Sequence, residues 1–288
     1  MRIRKVLLVL AVLVAVPVLA QAPPSFSPPQ LDQLVARIAL YPDPLLAQIL
    51  AGATYPDQIP DAARWADQHH YLSGQALADA IQADQLPWDP SVQALLPFPS
   101  VLEMMASDIG WTTDLGNAFL AQQQDVMDAV QRQRKLARDF GYLRSNGQII
   151  VGAGPYITVL PVDPAFIVVP YYDPRIVFFP PRPGFVVGGA LRFGFGVTIG
   201  GFFRPWGWGF NRFDWGARAV IINNAPWRRT WINRQEYVHP YAGVRRFPPA
   251  QRFPEQHELH ERTVPERAAP REGRRAPREE HGARSDRR

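Results

Sequence analysis

The chain has 288 residues, which allows one or two domains plus tails. It contains no cysteine, which excludes disulfides, thiolate nucleophiles and zinc–thiolate sites. The net charge of +5 conceals a polarity. Residues 23–140 carry 6 basic and 14 acidic side chains, residues 141–238 carry 10 and 4, and residues 239–288 carry 12 arginines and 8 acids. An acidic head joined to a basic body attracts itself, a neighbour or an anionic surface.

Arg2, Arg4 and Lys5 precede the unbroken apolar run Val6 to Val16, and Ala20-Gln21-Ala22 follows it. These are the three parts of a secretory leader in order, so residues 1–22 are expected to be removed on export. The alternative is an uncleaved anchor. The run is short for a span, which needs about 20 apolar residues.

Residues 23–141 read as an all-helical domain. Ser27-Pro28-Pro29-Gln30 resembles a capping box, and Leu31, Leu34, Val35 and Ile38 follow at helical spacing. Asp43-Pro44 starts a second helix, with Asp43 expected as its cap. Further starts follow at Pro60, Ser73 and Asp89-Pro90, and Ser100 is expected to cap a helix carrying Met104, Met105 and Ile109. The longest predicted helix runs from about Thr113 to Phe140, with Gly141 as its stop. At roughly 120 residues the head is large enough for a core of its own and is expected to fold alone.

The period changes after the Asn146-Gly147 turn. Residues 142–182 predict short strands at Ile149–Val151, Tyr156–Leu160, Phe166–Val169 and Ile176–Phe179, separated by proline turns. Within residues 183–238, Leu191 to Gly200 alternates strictly and predicts a half-buried strand. The competing reading is a glycine-rich membrane segment from Phe185 to Phe203, in which Arg192 would cost about 2.5–3.5 kcal/mol. Trp206, Trp208 and Trp215, interleaved with Arg212, form the candidate binding surface, able to stack on sugars or bases or rest at a membrane. Equally, the tryptophans pack inward as a small β core. Residues 239–288, rich in Arg, Glu and Pro, are expected to stay disordered. The fold class is therefore α+β: a helical N-terminal domain, a small Pro/Gly/Trp-rich β segment and a basic tail.

The stretch Ala39 to Leu50, with Ala53-Thr-Tyr-Pro56, Ala62-Ala-Arg-Trp65, Val126 to Gln131 and Ile167 to Pro174, resembles an exported bacterial family known as domain of unknown function 3300. The match covers roughly Leu31 to Phe179. The resemblance implies a Gram-negative envelope protein and carries over no catalytic residue.

Function reads most simply as non-enzymatic binding, to an envelope protein or an anionic envelope surface, with peripheral membrane contact through the glycine–aromatic stretch as a further option. Nucleic acid is not an expected partner of an exported chain, and no cofactor or metal site is expected. The enzymatic alternative is a hydrolase of cell-wall glycan, which needs two carboxylates across a bond. Asp163, Asp173, Asp214 and Glu236 are the acids available in the body, and the first two precede proline as turn formers do. His69-His70 has no visible partner for a triad, and His257 to Glu261 reads as a solvated charge run.

Overall fold

A computed structural model describes residues 22–241 apart from 182, 183, 185 and 186. The expectations for the leader (1–22) and for the Arg-rich tail (239–288) fall almost wholly on residues 1–21 and 242–288, outside the described residues, as does the His257 run. Of the tail, residues 239–241 are described, and His239 there is buried with Nε2 2.8 Å from the Ile222 carbonyl oxygen.

The helical half contains α1 (Pro28–Val35), α2 (Asp43–Ala53), α3 (Ile59–Gln68), α4 (Gly74–Ala83), α5 (Pro90–Gln93), α6 (Pro99–Ser107), α7 (Ile109–Ala121) and α8 (Gln123–Asp139). Gln30 closes back on the start of α1, where its Oε1 accepts from the Ser27 N–H at 2.8 Å. Asp89 caps α5 by accepting from the Ser91 N–H. Gly141, at φ +81°, ends the α8 turn in the left-handed region that favours glycine.

Two starts differ from the sequence reading. Phe98, not Ser100, precedes α6, so Ser100 lies within the first turn. Pro42 precedes α2, and Asp43 is the first helical residue with its carboxylate turned to other work. The long helix expected over Thr113 to Phe140 is two, α7 and α8, broken at Gln122 (φ −138°, ψ 47°). The break has a use. The Gln122 side chain accepts from the Phe26 N–H at 2.7 Å and donates to the Phe26 carbonyl at 3.2 Å, tying down the segment ahead of α1.

Helix α2 is the axis of the fold. Ten of its eleven residues are buried, as expected of a helix apolar on all sides. It packs against α5 and α7 on the helical side and against strands of the β half. At the α7 crossing a Cβ on Gly116 would lie 2.0 Å from the Ala53 carbonyl oxygen, so glycine is what permits the approach.

The β half is a set of short antiparallel pieces. Strand β1 (Ile149–Val151) pairs with β2 (Val159–Pro161), Ile150 opposite Leu160. The Asn146 side chain makes the preceding turn by accepting from the Gln148 and Ile149 N–H groups. Strands β3 (Phe166–Ile167) and β4 (Pro170–Tyr172) pair with β6 (Val197–Thr198) and β5 (Leu191–Phe193) respectively. These two pairs are one interrupted ribbon. Four steps separate Phe193 from Val197 against three from Ile167 to Pro170, so one strand carries an extra residue. The strand expected over Leu191 to Gly200 is therefore broken, and Phe195, which strict alternation would place on the same face as Leu191 and Ile199, is fully exposed at the break. The strand expected at Ile176–Phe179 is a helical turn, α9 (Pro174–Val177), because Asp173 caps it by accepting from the Arg175 N–H. A meander of β7 (Arg212–Asp214), β8 (Ala219–Ile222) and β9 (Ala225–Pro226) follows. Asn223 and Asn224, both at positive φ, form its second turn. Among the described residues no helix is long and apolar enough to cross a membrane.

The two halves share one core. A single cluster of buried apolar side chains runs from Leu31 to Trp227 and takes in both helices and strands.

Candidate functional site

Beneath the junction of the two halves lies a buried ion pair. Arg134 of α8 is fully buried and Asp43 of α2 nearly so, with Nη1 and Oδ1 2.6 Å apart. Such a pair persists in low dielectric only if its remaining donors and acceptors are used. Here they are. Arg134 also donates to the carbonyls of Ala39 (2.8 Å), Ile157 (2.8 Å) and Tyr41 (3.0 Å), and its guanidinium carbon lies 5.1 Å from the Trp215 ring centre. Asp43 Oδ2 accepts from Trp215 Nε1 at 3.1 Å. One pair thus fixes the α1–α2 connection, α8, the segment before β2 and the segment after β7.

This network sits beside an open pocket of about 320 Å³. The helical half lines it with Arg37, Tyr41, Ser100 and Met104. The β half contributes Val169, Pro170, Tyr171, Tyr172 and Pro174. Tyr172 anchors β4 to the helices: its hydroxyl donates to the Ala36 carbonyl at 2.9 Å and accepts from the Leu40 N–H at 3.4 Å. Burial raises the Tyr172 phenol well above its ordinary range, with the neighbouring Tyr41 adding to the effect. Tyr41 is raised too, again by burial first and then by Tyr171. Both phenols are therefore neutral, and each can donate a hydrogen bond. The partner of the Tyr41 hydroxyl is Met104 Sδ at 3.9 Å, a weak acceptor.

Arg37 is held in place by its own neighbours. Nη2 lies 2.8 Å from Asp108 Oδ2, and the guanidinium carbon stands 5.0 Å from the Trp111 ring centre. The Trp111 N–H and the Arg37 guanidinium together hold the Asp108 carboxyl below the usual carboxylate range. Half-exposed, Arg37 keeps the rest of its donor set for other partners.

The residues singled out in the sequence lie elsewhere. Trp206 and Trp208 are almost wholly buried, with indole N–H groups donating to Gln93 Oε1 and the Ala94 carbonyl, both at 2.9 Å. Trp215 is buried over the ion pair. Arg212 is exposed on β7 and donates to Asn224 Oδ1 at 3.1 Å. The three tryptophans therefore have no free ring face for stacking, which corrects their reading as a binding surface. They take the inward-packing alternative, because an indole buries a large apolar area once its N–H finds an acceptor.

The acids of the β half are also occupied. Asp163, Asp173 and Asp214 accept from the N–H groups of Ala165, Arg175 and Ala217 and stabilise turns. His69 and His70 each place Nδ1 against a carbonyl one turn back, of Trp65 and Asp67. Among the described residues no group of three or more histidines and acids could hold a metal ion.

Sequence reading missed the pocket, although the signal was partly there. Tyr41 belongs to the stretch Ala39 to Leu50, and Val169 to Tyr172 with Pro174 to the stretch Ile167 to Pro174. Two of the five segments that carry the family resemblance meet at one place in space.

Among known proteins, the chain is similar to an uncharacterised protein of Escherichia coli strain K12, YacH, at 33% identity over 243 residues. That alignment takes in 66% of this chain but 39% of the relative, so the chain spans about two fifths of that protein's length. No solved structure matches. A family model matches residues 27–243, well over half of the chain, and the chain belongs to the family described as Protein of unknown function (DUF3300).

Proposed function

We propose that this is an exported protein of the Gram-negative cell envelope that binds a partner through the pocket between its helical and β halves, without catalysis. One observation carries the reading. Two family segments, far apart in sequence, converge on an open pocket lined by tyrosines and prolines, with one guanidinium and four hydroxyls in its lining. Apolar, aromatic walls with a few placed polar groups are the usual make-up of a ligand site. The buried Asp43–Arg134 pair beside it holds the walls in a fixed relation, and a preformed site loses less entropy on binding. The leader-like residues 1–22 support export, and the Arg-rich segment from 244 supports tethering to anionic envelope material.

The chain has no cysteine, so one can be introduced as a unique handle. Ser100→Cys is nearly isosteric and lies in the pocket, while Ile232→Cys replaces an exposed side chain on a turn. With a thiol-reactive crosslinker in the periplasm, a discrete adduct is expected from position 100 and not from position 232. The same adducts from both positions, or none from position 100, would refute pocket-mediated binding.

A further inference from the structure

We infer that the pocket takes a carboxylate attached to a compact apolar or aromatic body, and that Arg37 reads the carboxylate. The inference rests on the reading of the pocket as a binding site and names the chemistry of its ligand. Three groups from the helical half give the pocket its polar character. Arg37 commits Nη2 to Asp108 and makes no other hydrogen bond among the described residues. Its plane is nevertheless set by the Trp111 ring below it. A guanidinium carries only donors, and its planar fork matches a carboxylate. Tyr41 is kept neutral and turned to a sulfur that accepts weakly, so its hydroxyl gains by exchanging that contact for an oxygen. Ser100, displaced from the capping role its sequence position indicated, has no hydrogen-bond partner among the described residues.

A guanidinium and the hydroxyls of Tyr41, Ser100 and Tyr171, with no acidic residue in the lining, make a site that seeks an acceptor, and an anionic one above all. The β half sets the remainder of the ligand. Val169, Pro170, Tyr171 and Pro174 offer aliphatic surface and a ring. At about 320 Å³ the space lies at the lower end of ligand sites, which limits the body to one ring or one branched chain. Two sources share this chemistry: a small free carboxylic acid and the last residue of a peptide.

The test uses the mature full chain and matched probes. N-acetyl-phenylalanine and a blocked Ala-Ala-Phe tripeptide are each offered as the free acid and as the amide, and binding is followed by NMR of the pocket tyrosines or by calorimetry. The acid is expected to bind about tenfold more tightly than its amide, the worth of one charge-assisted hydrogen-bond pair. Arg37→Gln should remove that preference, and Ser100→Ala should reduce it without disturbing any ion pair. If the single residue suffices, the source is a small acid. If only the tripeptide binds, the source is a chain terminus. Equal binding of acid and amide overturns the carboxylate inference while leaving the pocket a binding site. Failure of all four probes overturns it too, and the crosslinking at position 100 then judges the broader reading separately.

Discussion

Replacing Arg134 by methionine tests whether the two halves are held by one buried charge pair. The substitution keeps a long unbranched side chain in place, so cavity formation is a minor part of its cost. What remains is electrostatic. The Asp43 carboxylate keeps the Trp215 indole N–H at 3.1 Å and the Val159 N–H at 3.4 Å, but loses its counter-charge. The Ala39 and Tyr41 carbonyls lose the guanidinium donor, whereas the Ile157 carbonyl still accepts from Gln131 Nε2 at 3.1 Å. Breaking a fully buried pair from one side costs about 3–5 kcal/mol. That is from about a fifth to all of the stability of an ordinary domain, at about 5–15 kcal/mol. Urea unfolding followed by tryptophan emission and by far-ultraviolet CD measures it, and both signals should shift together because Trp215 and α8 share the pair. Arg134→Met combined with Asp43→Leu should recover most of the loss, since an uncharged pair leaves no buried ion unmatched. A single-mutant cost under about 1 kcal/mol, or a double mutant as unstable as the sum of the singles, would show that the pair does not bind the halves together.

Four further outcomes are expected. Burial keeps the Tyr41 and Tyr172 phenols neutral in the fold, while in the unfolded chain they ionise near about pH 10. Their contribution is therefore complete below that pH and lost as pH rises above it. Urea midpoints should fall between about pH 9 and 11, and Tyr172→Phe should flatten this limb while costing about 1 kcal/mol at neutral pH; a midpoint in the wild type that ignores alkali refutes the point. Gly116→Ala drives a methyl into the Ala53 carbonyl and should destabilise by about 3 kcal/mol in the same unfolding assay. A 22–142 fragment uncovers Asp43, Arg134 and Gln48, which the β half covers through Ile157, Trp215 and Trp206, so its CD should stay helical while its unfolding loses the sharpness of the full chain. Deleting residues 244–288 should reduce retention on anionic vesicles at low salt, and equal retention of both forms removes the tethering proposal.

The helical half was legible because its signals are local. Gln30 and Asp89 act within three residues of the turns they stabilise, and Gly141 ends α8 where its conformational freedom predicts. The errors there share one cause, a distant partner that outcompetes a local rule. Asp43 has the sequence context of a cap, yet Arg134 on α8 claims its carboxylate. Gln122 has no helix-breaking chemistry, yet the backbone of Phe26 claims its side chain and the helix breaks. In the β half the alternation of Leu191 to Gly200 was real, and Leu191, Phe193, Val197 and Ile199 keep one side, but the extra residue at the break sends Phe195 outward. Periodicity reports which residues alternate; it carries no information about where a partner strand changes register.

The pocket was harder to see for a reason that follows from how it is built. Leu40 and Tyr172, joined by a hydrogen bond, are 132 positions apart. Tyr41 and Tyr171 read singly as ordinary tyrosines beside prolines. Tryptophan content drew attention instead, because eight indoles in one chain suggest a stacking surface. The structure divides the labour differently. Trp206, Trp208 and Trp215 spend their area and their N–H groups on α2, α5 and the buried pair, which joins the β half firmly to the helices. The smaller tyrosines are left at the seam, Tyr41 buried, Tyr172 partly buried and Tyr171 exposed. A site at such a seam depends on both halves for its shape. A change that loosens the tryptophan contacts should therefore weaken ligand binding without touching the pocket. Trp208→Phe, which removes the bond to Ala94 and leaves a partial cavity, is expected to lower affinity for a pocket ligand several-fold while leaving the acid-over-amide preference unchanged. Loss of the preference together with the affinity would place Trp208 in the site itself and contradict this division.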